Sequence, residues 1–103
     1  MKYSISENRL FQLTQTFLDD YLKGVRVISP NLRKTYVQFI DRSGDLVMDG
    51  IIDQELLVNR KLWDQLQNMF SLSDESVKYV IEFWTNKNLG YTFGNDVARD
   101  DSN

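Results

Sequence analysis

The N-terminal part of the chain, ISENRLFQLTQTFLDDYLKG, has apolar residues at spacings of three and four. This spacing places apolar side chains on one side of an α-helix and polar side chains on the other. Ser6 is suited to the N-cap, and Gly24 is suited to ending the helix. We therefore predict an N-terminal amphipathic helix whose buried stripe consists of Leu10, Leu13, Phe17, Leu18, Tyr21 and Leu22.

In the middle of the chain the pattern changes to an alternation of apolar and polar residues, which indicates strands. VRVIS is a short candidate, and TYVQFID and LVMDGII are two more. Between the last two, DRSG at 41–44 is typical of a type I turn followed by a glycine in the left-handed conformation. We therefore expect an antiparallel hairpin at 35–52 in a small sheet of two or three strands, with Leu46, Met48 and Ile52 facing the core.

Helical spacing returns after residue 53. Asp53 is placed to cap a helix through QELLVNRKLWDQLQNMF, Asn59 to cap its second piece, and Ser73 to cap a final helix that begins in LSDESVKYVIEFW. YTF at 91–93 is a further strand candidate, and residues 95–103 are interpreted as a polar, acidic tail. The sequence therefore predicts one α+β domain over residues 1–94, in which two or three C-terminal helices follow the sheet.

Composition removes many kinds of chemistry. The chain has 103 residues, of which 42% are hydrophobic, and contains no cysteine and no histidine. This excludes the usual zinc sites, haem and iron–sulfur ligation by these residues, thiol catalysis and histidine-based triads. No apolar run approaches the ~20 residues of a membrane span, and the first residues lack the apolar core of a signal peptide. We therefore expect a non-enzymatic, intracellular protein without a metal, a cofactor or a membrane partner.

The segment DRSGDLVMDGIID has aspartates at positions 41, 45, 49 and 53. An EF-hand calcium loop that began at Asp45 would have Val47 at a ligand position and Leu56 in place of the closing glutamate. On a strand, residues four apart are separated by about 13 Å, because each residue advances ~3.3 Å. We therefore interpret these carboxylates as a solvent-facing row and not as a calcium site.

Adjacent carboxylates occur twice, as Asp19-Asp20 and Asp74-Glu75, and paired carboxylates can perform acid–base catalysis without histidine. The first pair falls on the polar side of a helix near its end. The second follows an N-cap, where negative charge is favourable against the helix dipole. We interpret both pairs as structural.

Aromatic residues are concentrated near the C-terminus and are candidates for a protein-interaction surface. Val77, Val80, Ile81 and Trp84 form the core stripe of the last helix, which leaves two rings on its flank, one turn apart. Large exposed aromatics are typical of interface hot spots. The proposed interaction residues are Tyr79, Phe83, Tyr91 and Phe93. In the alternative interpretation, residues 91–93 fold back and cover the first two.

Two Arg-Lys pairs lie near aromatic residues, an arrangement that suits single-stranded nucleic acid. The residues of this alternative are Arg33, Lys34, Tyr36, Arg60, Lys61 and Trp63. The formal net charge of -3 provides no general attraction to nucleic acid. We therefore rank nucleic acid below a protein partner.

The segments YSISENRLFQLTQTFLDDYL, NRKLWDQLQNMFSL and VKYVIEFWTNKNLGY resemble short uncharacterised proteins of tailed bacteriophages. Those proteins open with I-S/T-E-x-x-L and an amphipathic helix, and they end with a helix around a Met-Phe pair and an aromatic-rich helix. The resemblance implies a viral accessory protein, located in the virion or in the host cytoplasm, and it implies no activity. We therefore expect a protein that binds a virion or host protein. A homo-oligomer is the alternative assembly, because a small sheet has an edge strand available for pairing.

Overall fold

The computed structural model describes residues 5–31, 34–93 and 96–100. These residues form three helices on one face of a five-stranded sheet, which is an α+β arrangement. In chain order the elements are helix α1 (Ile5–Tyr21), strands β1 (Leu22–Asn31), β2 (Lys34–Asp41), β3 (Leu46–Ile51) and β4 (Glu55–Asn59), helices α2 (Arg60–Phe70) and α3 (Asp74–Leu89), and strand β5 (Val97–Asp100).

The strands are ordered β1-β2-β3-β4-β5 across the sheet. The first four form an antiparallel meander, and β5 pairs with β4 in parallel. Parallel neighbours need a long crossover connection, and α2 and α3 together provide it. The two helices therefore lie between β4 and β5 in sequence and cover the sheet in space.

The core lies between the helices and the inner face of β2, β3 and β4. Phe39 is directly opposite Met48, and Met48 is opposite Val58, so these three side chains share one face. All of them are buried, together with Leu56 and Val97. The helices contribute Leu18, Leu62, Leu66, Val77, Val80, Ile81 and Trp84 to the same cluster.

The predicted sheet of two or three strands is wrong, because β4 and β5 extend it to five among the described residues. The segment that became β4, ELLVN, was expected to be helical. Leu56 and Val58 are buried while Leu57 is exposed, so the burial in this segment alternates as in a strand. Because the exposed residue Leu57 is also apolar, the sequence itself shows no alternation of apolar and polar residues. Asp53 does not cap a helix; it has φ 68° in the tight turn between β3 and β4. Asn59 caps α2 as predicted, with its side chain accepting from the backbone N–H of Lys61 at 2.7 Å.

The predicted order of elements is also wrong at the C-terminal end, because β5 follows the helices. β5 lies inside the 95–103 range that was interpreted as a tail, and Val97 is buried next to Leu56. One buried apolar residue in VARD is too little to produce an alternating pattern. The YTF segment forms no strand; Thr92 instead accepts from the backbone N–H of Asp53 at 2.7 Å and donates its hydroxyl to the Asp53 carboxylate at 2.8 Å.

The hairpin expected at 35–52 is present as β2 and β3, and its turn has the expected left-handed Gly44 at φ 88°. The Asp41 carboxylate accepts from the backbone N–H groups of Ser43 and Asp45, at 2.9 and 3.0 Å. A bulge follows, since Phe39 pairs with Met48 but Ile40 pairs with Leu46. The bulge leaves Leu46 exposed, although it was expected to face the core.

The two terminal helices differ in how well their patterns predicted them. In α3, Ser73 is the N-cap as predicted, and its hydroxyl accepts from the N–H of Ser76 at 3.2 Å. In α1, the helix already begins at Ile5, so Ser6 lies within it. Its buried stripe is rotated from the predicted one: Leu13 is exposed, while Thr14 and Gln15 are buried.

Replacing Gly50 in β3 by alanine is expected to destabilise the protein by about 1–3 kcal/mol or more, as for other overpacked sites. An added Cβ would lie 2.8 Å from Leu56 Cα and closer still to the carbonyl oxygen of Glu55, both of which are backbone atoms of β4. The free energy of unfolding from urea titration measures the effect. Gly24→Ala is the matched control, because a Cβ there meets only Ile40 Cβ at 3.9 Å. Equal losses for the two variants would contradict this account.

Candidate functional site

Three aromatic rings from α1 and α3 meet on the surface of the helix layer. The ring centroids of Phe11 and Phe83 are 4.7 Å apart in an edge-to-face arrangement, and those of Phe11 and Tyr79 are 5.6 Å apart. Tyr79 and Phe83 are one turn apart on α3, with centroids separated by 6.2 Å. We call these three residues the aromatic patch. Tyr79 is 48% exposed and Phe83 37% exposed, so the patch presents apolar surface to solvent.

Two polar contacts join α1 to α3, one of them buried and the other partly buried. The Gln15 side chain donates to the carbonyl oxygen of Val80 at 3.1 Å. The indole N–H of Trp84 donates to the Asp19 carboxylate at 2.8 Å. Because both contacts are between α1 and α3, they hold the backbones on which the patch is built.

The surface around Tyr79 is concave on more than one side. A mostly apolar depression of about 100 Å³ lies between α1 and α3, and it is lined by Leu10, Phe11, Thr14, Leu72, Ser76, Tyr79 and Val80. A second depression of about 210 Å³ is lined by Tyr79, Glu82, Phe83, Asn86 and Thr92. The lining of the first depression is mostly apolar, and the second adds the Glu82 carboxylate and the Asn86 amide as polar groups.

The structure separates the four aromatic residues that the sequence nominated. Tyr79 and Phe83 lie together in the patch, Tyr91 packs partly buried against the core, and Phe93 is fully buried. The YTF segment therefore contributes to the core and leaves the two α3 rings exposed. Sequence reasoning missed Phe11, although it lies three residues before Thr14 and seven before Leu18, both of which are buried.

The Arg-Lys pairs are not brought together. Lys34 begins β2, whereas Arg60 follows the last residue of β4, a strand that runs in the same direction. Tyr36 is level with Glu55 in the sheet, so Arg60 lies roughly 15–20 Å further along the strands. Trp63 is buried and donates its indole N–H to Asp74 at 3.2 Å, so its ring is not available for stacking. Arg33 lies outside the described residues.

The four aspartates of the 41–53 segment do not converge. Asp41 and Asp45 lie at the β2–β3 turn, Asp49 lies on the outer face of β3, and Asp53 lies in the next turn. Within the described ranges, no three carboxylates are arranged to hold a metal ion.

Partial burial raises the pKa of the Tyr21 phenol above its ordinary value, and the nearby charges of Asp41 and Asp45 raise it further.

The outer face of the sheet carries a cluster of like charges around Asp49. Partial burial raises the pKa of the Asp49 carboxyl above its ordinary value of 3.8, and the negative charges of Asp100 and Glu55 add to the effect. Asp49 lies between Gln38 and Leu57 in the sheet, neither of which carries a compensating charge. The ionised form of Asp49 is therefore disfavoured in the folded protein.

Comparison with protein-family models, with curated proteins and with solved structures found no match. Among the helices that the structure describes, none has both the length and the hydrophobicity needed to cross a bilayer.

Asp19→Ala is expected to destabilise the protein by about 1–3 kcal/mol, because it leaves the buried indole N–H of Trp84 without its acceptor. Asp19→Asn retains an acceptor oxygen and should cost less, as measured by urea titration. Asp20→Ala is the control: Asp20 forms ion pairs with Arg42 at 2.6 Å and Lys23 at 3.6 Å, but all three side chains are exposed. Such pairs contribute about 0–1 kcal/mol. An equal loss for Asp20→Ala would contradict the assigned role of Asp19.

Asp49→Asn is expected to raise the melting temperature at neutral pH. Since the folded-state pKa of Asp49 is raised, folding favours the protonated carboxyl, and stability is lost as pH rises from 3.8 through the folded pKa. The asparagine variant avoids this loss, so its advantage should shrink as pH falls towards 3.8. Melting temperatures across this pH range measure it. Glu75→Gln removes the same charge from the first turn of α3 and should not stabilise, because an acidic group is favourable there.

Proposed function

We propose that this protein acts by binding another protein through the aromatic patch, and that it does so without catalysing a reaction. The observation that carries the proposal is the exposure of Tyr79 and Phe83 beside Phe11, over an apolar depression. Isolated exposed apolar residues are common on protein surfaces, whereas contiguous rings beside a pocket are typical of binding sites.

The arrangement of the patch favours a preformed binding surface. Phe11 and Phe83 contact each other edge to face, and the backbones that carry them are joined by Gln15–Val80 and Asp19–Trp84 hydrogen bonds. Rings that are already ordered lose little side-chain entropy on binding. We therefore assign Tyr79 as the central contact, because it borders both depressions.

The resemblance to short phage proteins supports a partner in a virion or in an infected host cell. Under this proposal the protein is a small virion component or an effector that acts on a host protein. Single-strand nucleic-acid binding through both Arg-Lys pairs has less support, because Lys34 and Arg60 are far apart along the sheet and Trp63 is buried.

Capture with the tagged protein from infected cells, beside mass spectrometry of purified virions, tests the proposal. We expect one stoichiometric partner, whose affinity Tyr79→Ala should reduce by about 2 kcal/mol in a titration with the purified partner, the loss typical of a hot spot. Met69→Ala is the matched control, since Met69 on α2 is also exposed and apolar but lies outside the patch. Circular dichroism checks that both variants fold.

Two outcomes would contradict the proposal. A partner that binds Tyr79→Ala and wild type equally tightly would show that the interface lies elsewhere. A metal- or nucleotide-dependent turnover by the purified protein would show that it is an enzyme.

A further inference from the structure

The charges of the chain are unevenly distributed between the β1–β2 hairpin and the rest of the protein. Residues 22–41, which span both strands, hold four of the twelve Lys and Arg side chains and one of the fifteen Asp and Glu side chains, Asp41 at the end of β2. The remainder has eight basic and fourteen acidic groups, so its net charge is -6 against +3 for the hairpin. The hairpin therefore attracts an acidic ligand although the whole chain is acidic.

Strand β1 is an open edge of the sheet. Within the described ranges it pairs with β2 alone, and its other side presents backbone N–H and C=O groups that no strand satisfies. The opposite edge, β5, has four residues, whereas β1 has ten. β1 is therefore the edge long enough to accept a further strand.

The inner face of β1 continues the apolar surface of the core. Val25 is opposite Phe39, and Val27 is opposite Val37, so the two valines share the face that the helices cover elsewhere. Phe39 and Val37 are fully buried, but Val25 is 37% exposed and Val27 is 51% exposed. The helix layer thus covers Leu22 at the start of β1 but leaves Val25 and Val27 partly open to solvent.

The outer face of β1 carries a cation. Arg26 is exposed and opposite Gln38, and it donates to Gln38 Oε1 at 3.2 Å, an uncharged acceptor. Lys23 lies earlier in the same strand, with its Nζ 3.6 Å from the Asp20 carboxylate. An added strand would thus meet Val25 and Val27 on one face, and Arg26 and the exposed Ile28 on the other.

We propose that β1 binds an extended acidic segment of a partner protein by strand addition. The apolar side chains of the segment lie beside Val25 and Val27, and its carboxylates lie beside Arg26. A peptide backbone satisfies the open strand edge, whereas single-stranded nucleic acid binds through ring stacking, which valines do not provide. A second copy of β1 is disfavoured, because it brings the Lys23 and Arg26 cations of both copies to one edge.

Fluorescence anisotropy with a short labelled peptide in which valine alternates with glutamate tests this proposal. We expect saturable binding whose affinity falls as the salt concentration is raised. The Arg26→Glu substitution should lower the affinity for the peptide about tenfold or more. Arg60→Glu reverses the same charge just after β4, three strands away from β1, and should bind like wild type. If Arg26→Glu fails to fold by circular dichroism, Arg26→Gln should show a smaller loss.

Hydrogen exchange locates the peptide and separates this surface from the aromatic patch. Binding should slow exchange at alternate backbone N–H groups of residues 23–28, and Tyr79→Ala should bind the peptide as wild type does. Absence of binding, equal binding by Arg26→Glu, tighter binding of a valine–lysine peptide, or protection confined to α1 and α3 would each overturn the proposal. So would displacement of the peptide by oligothymidine, or self-association through β1 in sedimentation runs.

Discussion

The helix layer of this protein leaves part of the inner face of the sheet uncovered, and the exposed valines of β1 follow from that constraint. Val37, Phe39, Met48, Leu56 and Val58 form the buried inner face of β2 to β4. The three helices cover these strands and also Leu22 at the start of β1. Further along β1, the inner valines Val25 and Val27 stay exposed because no helix covers them. Where α1 and α3 meet over the covered strands, their outward rings form the aromatic patch.

Two tryptophans join the helices to one another through their polar ends. Each indole N–H is taken from water by burial and must find an acceptor. Trp84 on α3 uses Asp19 on α1, and Trp63 on α2 uses Asp74 on α3. The same carboxyl of Asp74 accepts from Gln67 at 2.8 Å. Because each carboxylate lies on a different helix from the indole that donates to it, these hydrogen bonds help to set the distances between the helices, together with the apolar packing.

Local patterns in the sequence were sufficient to predict the elements whose contacts are between residues close together in the chain. The spacing of Val77, Val80, Ile81 and Trp84 predicts α3, and the caps at Asn59 and Ser73 lie where the sequence placed them. Strands β4 and β5 depend on pairing between residues far apart in sequence, such as Leu56 with Val97, which no local pattern contains. The α+β class was therefore predictable, while the five-stranded sheet was not.

The candidate site shows the same division. Tyr79 and Phe83 were predictable from α3 alone, because they lie off its core stripe. Phe11 joins them only through the packing of α1 on α3, in which the polar residues Thr14 and Gln15 face inward and rotate the helix away from its apparent stripe. Phe93 belongs to the same C-terminal concentration of aromatic residues as Tyr79 and Phe83 but lies in the core. Aromatic content alone therefore does not identify a surface residue.

The positions of the two proposed surfaces bear on how the protein would act. Tyr79 borders a depression that also includes Val97 of β5, so the aromatic patch lies towards the β5 side of the sheet. β1 is at the other edge, four strand spacings or roughly 19 Å away. Under the two proposals, the partners contact different residues, and one supplies apolar side chains where the other supplies carboxylates. Under the two proposals together, the protein can therefore hold both partners at the same time.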